Sequence, residues 1–243
     1  TLSSSNAMKM SLPSIPNFLR AGLAVALVCS LAACGGGGGS SSGGDTGGGG
    51  TTTPSYGGGL TPGSVAMTIT HQVTLTTNLG KLVIGLDGTH APLSTANFLA
   101  YVNSGFYNST LFHRVVPGFV IQGGGYVDTS GVYSAKATSA AIGLESRNGL
   151  SNTQYTIGMA RTSDPNSATS QFYINLVNNA SSLDFPASDN AGYAVFGTVS
   201  ASDTVSVATI NAIAAAITGT NTQLGATNWP LSDIVITSAV VNF

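Results

Sequence analysis

The feature that most narrows what this chain can become is the run Phe112-His113-Arg114-Val115-Val116-Pro117-Gly118-Phe119-Val120-Ile121-Gln122-Gly123-Gly124-Gly125. One guanidinium stands inside a stretch that is otherwise almost wholly apolar. Pro117 presets φ and Gly118 accepts φ > 0, so the pair signals a turn just after Arg114. Phe119 to Gln122 then reads as a short strand closed by three glycines, which lack a Cβ and leave the backbone open to a ligand. A phosphate-cradling loop is a weak reading of those glycines. No Lys-Ser/Thr follows them, and no GxGxxG precedes a helix. Arg114 taken alone reads as a structural cation paired with a carboxylate; its neighbours point instead to a site.

Only 7% of the 243 residues are charged, against roughly 25% in ordinary soluble domains, and the net charge is −2. Such a chain is not built to neutralise phosphates, which argues against nucleic acid as a partner. A hydrophobic content of 42% supports a packed core under a surface made mainly of Ser, Thr and Asn. Both cysteines, Cys29 and Cys34, fall near the start, so no disulfide framework or Cys-based zinc site can be drawn. His71, His90 and His113 are widely separated and lack metal-ligand spacing.

Residues 1–7 carry no structural signal, and Met8 or Met10 suits a start. Lys9 and Arg20 then precede the short apolar run Ala21 to Ala33, too short for a spanning helix of ~20 residues but suited to the core of a secretory signal. The run ends Leu31-Ala32-Ala33-Cys34, which resembles the lipobox of bacterial lipoproteins. That resemblance implies a signal peptide within 1–33, lipidation of Cys34, and membrane attachment through its acyl chains. Gly35 stands where Asp would resemble an inner-membrane retention signal, which favours the outer membrane, facing the periplasm or the cell surface. From 34 to 66 the chain is chiefly Gly, Ser and Thr. It cannot bury apolar area and is expected to form a disordered tether, roughly 30 residues with a span of about 30 Å.

From 67 to 243 the pattern changes to that of one domain. Val73 and Leu75, then Leu82, Ile84 and Leu86, alternate with polar or small residues as in a hairpin with one buried face. Pro92 to Ser104 reads as a helix with Ala96, Leu99 and Val102 on its apolar face, stopped at Gly105. Asp128 to Ala141 reads as an irregular surface excursion. Strands are expected at Thr156 to Arg161, Ser170 to Asn175, Tyr193 to Gly197 and Asp233 to Phe243. A second helix is expected over Asp203 to Ile217, capped by Ser202 or Asp203, with Val205, Ala208 and Ala212 on one face. Many short strands, two helices and no βαβ rhythm predict a mainly β fold, a closed antiparallel sheet with helices at its ends.

The run around Arg114 resembles the signature of the cyclophilins, the peptidyl-prolyl cis–trans isomerases. Two later blocks extend the resemblance. Met159-Ala160-Arg161-Thr162, running on to Ala168-Thr169-Ser170-Gln171-Phe172-Tyr173, is similar to their second active-site segment, especially in the bacterial branch. Gly192-Tyr193-Ala194-Val195-Phe196-Gly197 is similar to the third. The resemblance spans about 72 to 243, dense to Gly197 and thin afterwards. It implies an eight-stranded antiparallel barrel capped by two α-helices, and catalysis of rotation about X–Pro bonds without a metal or other cofactor.

Carried over residue by residue, the resemblance makes Arg114 and Gln122 the catalytic pair. Phe119, Val120, Tyr173 and Leu183 would line an apolar pocket for proline. Ala160, Arg161 and Gln171 would hold the residues before it, and Tyr193, which lies where eukaryotic members have His and bacterial ones often have Tyr, would also bind the peptide. Strict alternation would put Phe119 opposite Val120 and Gln122, so a bend at Pro117-Gly118 is required. Three positions depart from the family pattern. Tyr173 replaces the usual Phe and adds a hydroxyl that needs a partner; Val120 is shorter than the usual Met; and Ser182 stands at a rim position often held by Trp or Phe. Weak binding of cyclosporin, a ligand that leans on the missing Trp, is expected. His113 is read as a hydrogen-bonded core residue and Trp229 as packing.

The implied partners are proline-containing polypeptides, exported proteins among them, met by a monomer. A non-catalytic proline-peptide binding module and a surface adhesion protein on the same scaffold are the competing readings.

Overall fold

The computed structural model describes residues 58–186 and 191–243. The expected signal peptide within 1–33, Cys34 and most of the expected tether lie outside the described residues. In chain order, β1 (His71–Thr77) and β2 (Gly80–Leu86) form the expected hairpin, and α1 (Pro92–Asn103) follows. Next come β3 (Thr110–Val116), β4 (Val120–Thr129), β5 (Val132–Ala135), β6 (Thr156–Met159) and β7 (Phe172–Asn175). The single turn α2 (Ala180–Leu183), β8 (Val195–Val199) and α3 (Thr204–Ala214) lead to a hairpin of β9 (Thr218–Asn221) and β10 (Ala226–Pro230). The chain closes with β11 (Val235–Val241).

The main sheet runs β3-β11-β1-β2-β8-β6-β7-β4, and β4 pairs back with β3. Eight antiparallel strands thus close into a barrel, which removes the exposed edges an open sheet would carry; β5 is added on the far side of β4. Alternation sets the inner face. Val73 pairs with Ile84 and Leu75 with Leu82, and all four are fully buried. An aromatic group fills the interior, with Phe98 from α1 5.1–5.5 Å from the rings of Tyr107, Phe172 and Phe196. Ile210 and Ile213 of α3 join the same cluster.

Both helices exist where the periodicity places them, but α3 turns another face inward, and in α1 the expected Val102 and Leu99 pack against the core while Ala96 does not. In α1 the buried residues are Ser94, Thr95, Phe98, Tyr101 and Val102, and Ala96 is exposed. In α3, Val205, Ala208 and Ala212 face solvent, and Ser206, Thr209, Ile210 and Ile213 are buried. The bulkier Phe98, Ile210 and Ile213 remove more apolar area than alanines can and so decide the rotation. The buried polar groups of these two helices are matched. Ser206 Oγ accepts from the Val83 N–H at 2.8 Å, and Asp203 accepts from the N–H groups of Val205 and Ser206 as the N-cap. Helix α1 has no cap of its own. Its first N–H groups, on Leu93 and Ser94, donate to the Glu145 carboxylate at 3.0 and 2.7 Å, a charge suited to a helix N-terminus.

Three further expectations are corrected. The stretch from Asp128 is not wholly irregular, because β4 continues through the glycines to Thr129 and turns into β5. The β9–β10 hairpin was not foreseen. The packed chain also begins before residue 67: Leu60 N–H donates to Arg147 O at 2.9 Å, and Val65 N–H to Gly149 O at 3.3 Å. Residues 58–66 are therefore docked on the domain.

Candidate active site

Arg114 reaches the outside of the barrel because β3 is irregular. Phe112 pairs with Gly123 while Arg114 pairs with Gln122, so β3 advances two residues where β4 advances one. His113 is the extra residue of a bulge. Without it, Phe112 and Arg114 would share a face. With it, Phe112 enters the interior, Arg114 turns outward half-buried, and Val115 points in again. Gln122 pairs in turn with Tyr173 of β7, and Tyr173 with Gly158 of β6. One row across four strands thus reads Arg114, Gln122, Tyr173, Gly158.

A second apolar cluster, separate from the interior, gathers beside this row. Val120, Ala160, Tyr173 and Leu183 are its buried members, and Phe119 and Tyr193 pack half-buried against them. Phe119, Val120, Tyr173 and Leu183 are the four that the resemblance assigns to the proline pocket; Ala160, assigned to the residues before proline, and Tyr193 join them. The turn explains how Phe119 joins them. Its N–H donates to Val116 O at 3.0 Å, Gly118 has φ 71°, and β4 begins only at Val120, so Phe119 escapes the strand's alternation. Ser182 is exposed next to Leu183.

The polar members divide by what they hold. Gln122 is buried; its Nε2 donates to Gln171 Oε1 at 2.9 Å, and its Oε1 has no partner among the described residues. Gln122 is thus left with an acceptor to offer. Arg161 is also buried. Its Nε and Nη2 donate to Gly192 O at 3.1 and 2.9 Å, and its guanidinium stacks 4.3 Å from the centre of the Tyr193 ring. Arg161 is thereby fixed beside Tyr193.

The glycines act by packing, which corrects the expectation of open backbone. A Cβ on Gly123 would meet the Phe112 ring at 3.0 Å, and one on Gly125 would meet the Gln171 side chain at 2.6 Å. The space over the glycines is filled by the side chains that they let approach.

Behind the cluster lies a polar network the sequence reading missed. Tyr173 OH donates to Asn152 Oδ1 at 2.6 Å, which supplies the partner its hydroxyl requires. Asn152 Nδ2 donates to Asp184 Oδ1 at 2.8 Å and to Tyr193 O at 3.3 Å. Asn175 Nδ2 donates to Asn152 Oδ1 at 3.2 Å, and Asn179 Nδ2 donates to Asn175 Oδ1 at 2.8 Å and to Phe119 O at 2.9 Å. Burial, and then the neighbouring Tyr193 and Asp184, push the Tyr173 hydroxyl well above its usual pKa, so it remains a donor. The only sequence signal for these residues was a density of Asn that is equally at home in turns.

His113 is buried against the rings of Tyr126 and Trp229, with centroids 4.7 and 5.8 Å away, and Trp229 is packing as expected. Neither imidazole nitrogen makes a hydrogen bond of ordinary geometry among the described residues, which corrects the reading of a hydrogen-bonded histidine. Burial lowers the His113 pKa to about 4. The Leu111 backbone and the Gln171 side chain oppose that shift, and the Arg114 charge adds to it.

Comparison with known proteins points the same way as the geometry. A family model described as cyclophilin type peptidyl-prolyl cis-trans isomerase/CLD matches residues 72–241. The chain is 52% identical over 139 residues to peptidyl-prolyl cis-trans isomerase A of Dickeya dadantii, covering 57% of this chain and 70% of that protein. It is 43% identical over 170 residues to a peptidyl-prolyl cis-trans isomerase of Streptomyces antibioticus, covering 70% and 97%. Among solved structures it is similar to the cyclophilin type isomerase of Cryptosporidium parvum determined in the presence of the dipeptide Ala-Pro. That match has 26% identity and a TM-score of 0.51, over 71% of this chain and 99% of that one.

Proposed function

The chain belongs to the cyclophilin-type peptidyl-prolyl cis–trans isomerases, and we propose that it accelerates rotation about X–Pro bonds with Arg114 as the donor to the twisted amide. The barrier to peptide rotation is ~18–20 kcal/mol, and uncatalysed X–Pro exchange takes tens to hundreds of seconds. Rotation breaks amide resonance and localises the lone pair on a pyramidal nitrogen. A donor aimed at that nitrogen binds the twisted state better than either planar state, which is the condition for acceleration. A guanidinium stays charged and has donors to spare for a second acceptor.

Taking the rate from ~0.1 to ~10³ s⁻¹ requires about 5–6 kcal/mol, within reach of a few charge-assisted hydrogen bonds in a dry setting. Gln122 Oε1 would accept a substrate N–H while Gln171 holds the other end of its amide. The proline ring would lodge in the cluster of Phe119, Val120, Tyr173 and Leu183. The observation that carries this reading is the register of Arg114 with Gln122 on the outer face, beside that cluster.

The test is an exchange NMR or protease-coupled assay on an X–Pro peptide, with wild type and Arg114→Ala. Loss of one such donor lowers turnover about 100-fold. No acceleration by the wild type, with no change in the variant, would leave the binding-module reading. Cyclosporin is expected to inhibit weakly, because Ser182 offers no ring; a tight inhibition constant would overturn that.

We further place the protein in the cell envelope, as a monomer tethered by lipid on Cys34 and serving exported or outer-membrane polypeptides. The Leu31-Ala32-Ala33-Cys34 quartet and the glycine-rich stretch support this. Labelling with a fatty-acid analogue that persists in Cys34→Ser would remove the anchor. Protease shaving of intact cells separates a periplasmic domain from one on the surface.

A further inference from the structure

Tyr173 sits lower than most side chains could sit there, and the reason is Gly158. A Cβ at position 158 would fall 2.3 Å from the Tyr173 hydroxyl and 2.4 Å from its Cζ. Any other residue at 158 would force the ring outward, toward the space a ligand ring must enter. The glycine opens that room, and Asn152 occupies the far end of it. Asn152 is fully buried, and its amide is oriented without ambiguity: Oδ1 takes the Tyr173 proton, and Nδ2 faces the Asp184 carboxylate. Its backbone N–H donates to the same Asp184 Oδ1 at 2.8 Å, so the side chain and the main chain are locked together. The ring is therefore drawn down by a hydrogen bond and admitted by a missing methyl.

We propose that Asn152 and Gly158 are positioning residues: together they recess Tyr173 and so set how large a ring the apolar cluster accepts beside Arg114. This rests on the isomerase reading for its substrate class, but it concerns binding and is tested by binding. The same network ties down the rest of the site, since Asn152 Nδ2 also holds Tyr193 O. A preorganised wall of this kind lowers the ordering cost of binding without touching the reacting bond. It should therefore appear in affinity and KM, with kcat left nearly unchanged.

The experiment is an NMR titration of the folded domain with two peptides that differ only in ring size, X–Pro and X–pipecolyl, beside turnover on the X–Pro peptide. Gly158→Ala is expected to weaken X–Pro binding tenfold or more. It should weaken the six-membered ring by a further threefold or more, with kcat within about threefold of wild type. Tyr173→Phe removes only the anchor oxygen and serves if Gly158→Ala does not fold. It should weaken binding three- to tenfold and change the ring-size ratio in the same direction. A merely structural role would lower the melting temperature and leave that ratio alone. Wild-type affinities and an unchanged ratio in a folded variant overturn the proposal. Peptide binding with no turnover in wild type would remove the isomerase reading and leave this one standing.

Discussion

Strands β4 and β7 carry two clusters back to back, and the two are built on different principles. Ile121, Phe172 and Ile174 point into the barrel and are held by apolar packing. Val120, Gln122 and Tyr173, one residue away, point outward; the Gln171 amide holds Gln122, and the Asn152 amide, backed by the Asp184 carboxylate, holds Tyr173. The interior needs only shape and volume, because water is absent on every side. The outer cluster must keep its shape at a surface, where apolar contact alone leaves side chains free to rearrange. Hydrogen bonds from Asn152, Asn175 and Asn179 provide directions that packing does not. Stability should therefore be concentrated on one face of these strands and activity on the other.

That contrast can be broken most severely at Phe172. Phe172→Ala opens the interior and should cost about 3–5 kcal/mol in urea unfolding. Tyr173→Phe, its neighbour, should cost well under half of that yet change ligand affinity; equal costs would erase the distinction.

Next in size is a pH effect on His113, which is buried against Tyr126 and Trp229. Its folded pKa of about 4 lies below the unfolded 6.5. Above 6.5 both states are neutral and stability is full. Between 6.5 and 4 only the unfolded chain takes up the proton, so stability falls, by about 3 kcal/mol in all. His113→Leu should flatten the curve in that window. Asp87 is distinguishable: burial tends to raise its carboxyl, but bonds from Thr68 and His90 outweigh burial and hold it below 3.8, so its contribution is lost only at lower pH. Arg114→Ala comes third, with a loss of about 100-fold in turnover, or about 2.7 kcal/mol, and an almost unchanged melting curve. A large drop in stability would mean that Arg114 serves the barrel. The smallest effect is expected at Val205, exposed on α3, where Val205→Ser should stay within about 0.5 kcal/mol.

How much of this was legible beforehand follows the range of the physics involved. The β1–β2 hairpin was plain because Val73, Leu75, Leu82 and Ile84 alternate over a few residues. The residues proposed for the pocket came from a family resemblance, in three separated blocks that hold all of them but Leu183. The face of α3, and the place of Ala96 in α1, were misjudged because alanine is a poor guide to rotation where Phe98 and Ile210 compete. The β9–β10 hairpin was missed because its strands are short and polar, and Trp229 packs on the rings of distant His113, Tyr126 and Tyr133.

By itself the amino-acid order determined the mainly β character, the two helices and the turn at Pro117-Gly118. Those depend on neighbours a few positions apart, on alternation, on fixed φ and on capping. Only the tertiary structure decided that Arg114 faces outward, because the bulge at His113 exists only once β4 lies alongside with one residue fewer. It also decided that Gly125 seats Gln171 and that Gly158 and Asn152 seat Tyr173. Those contacts join residues that chain distance keeps far apart and that only a closed barrel brings within hydrogen-bond reach.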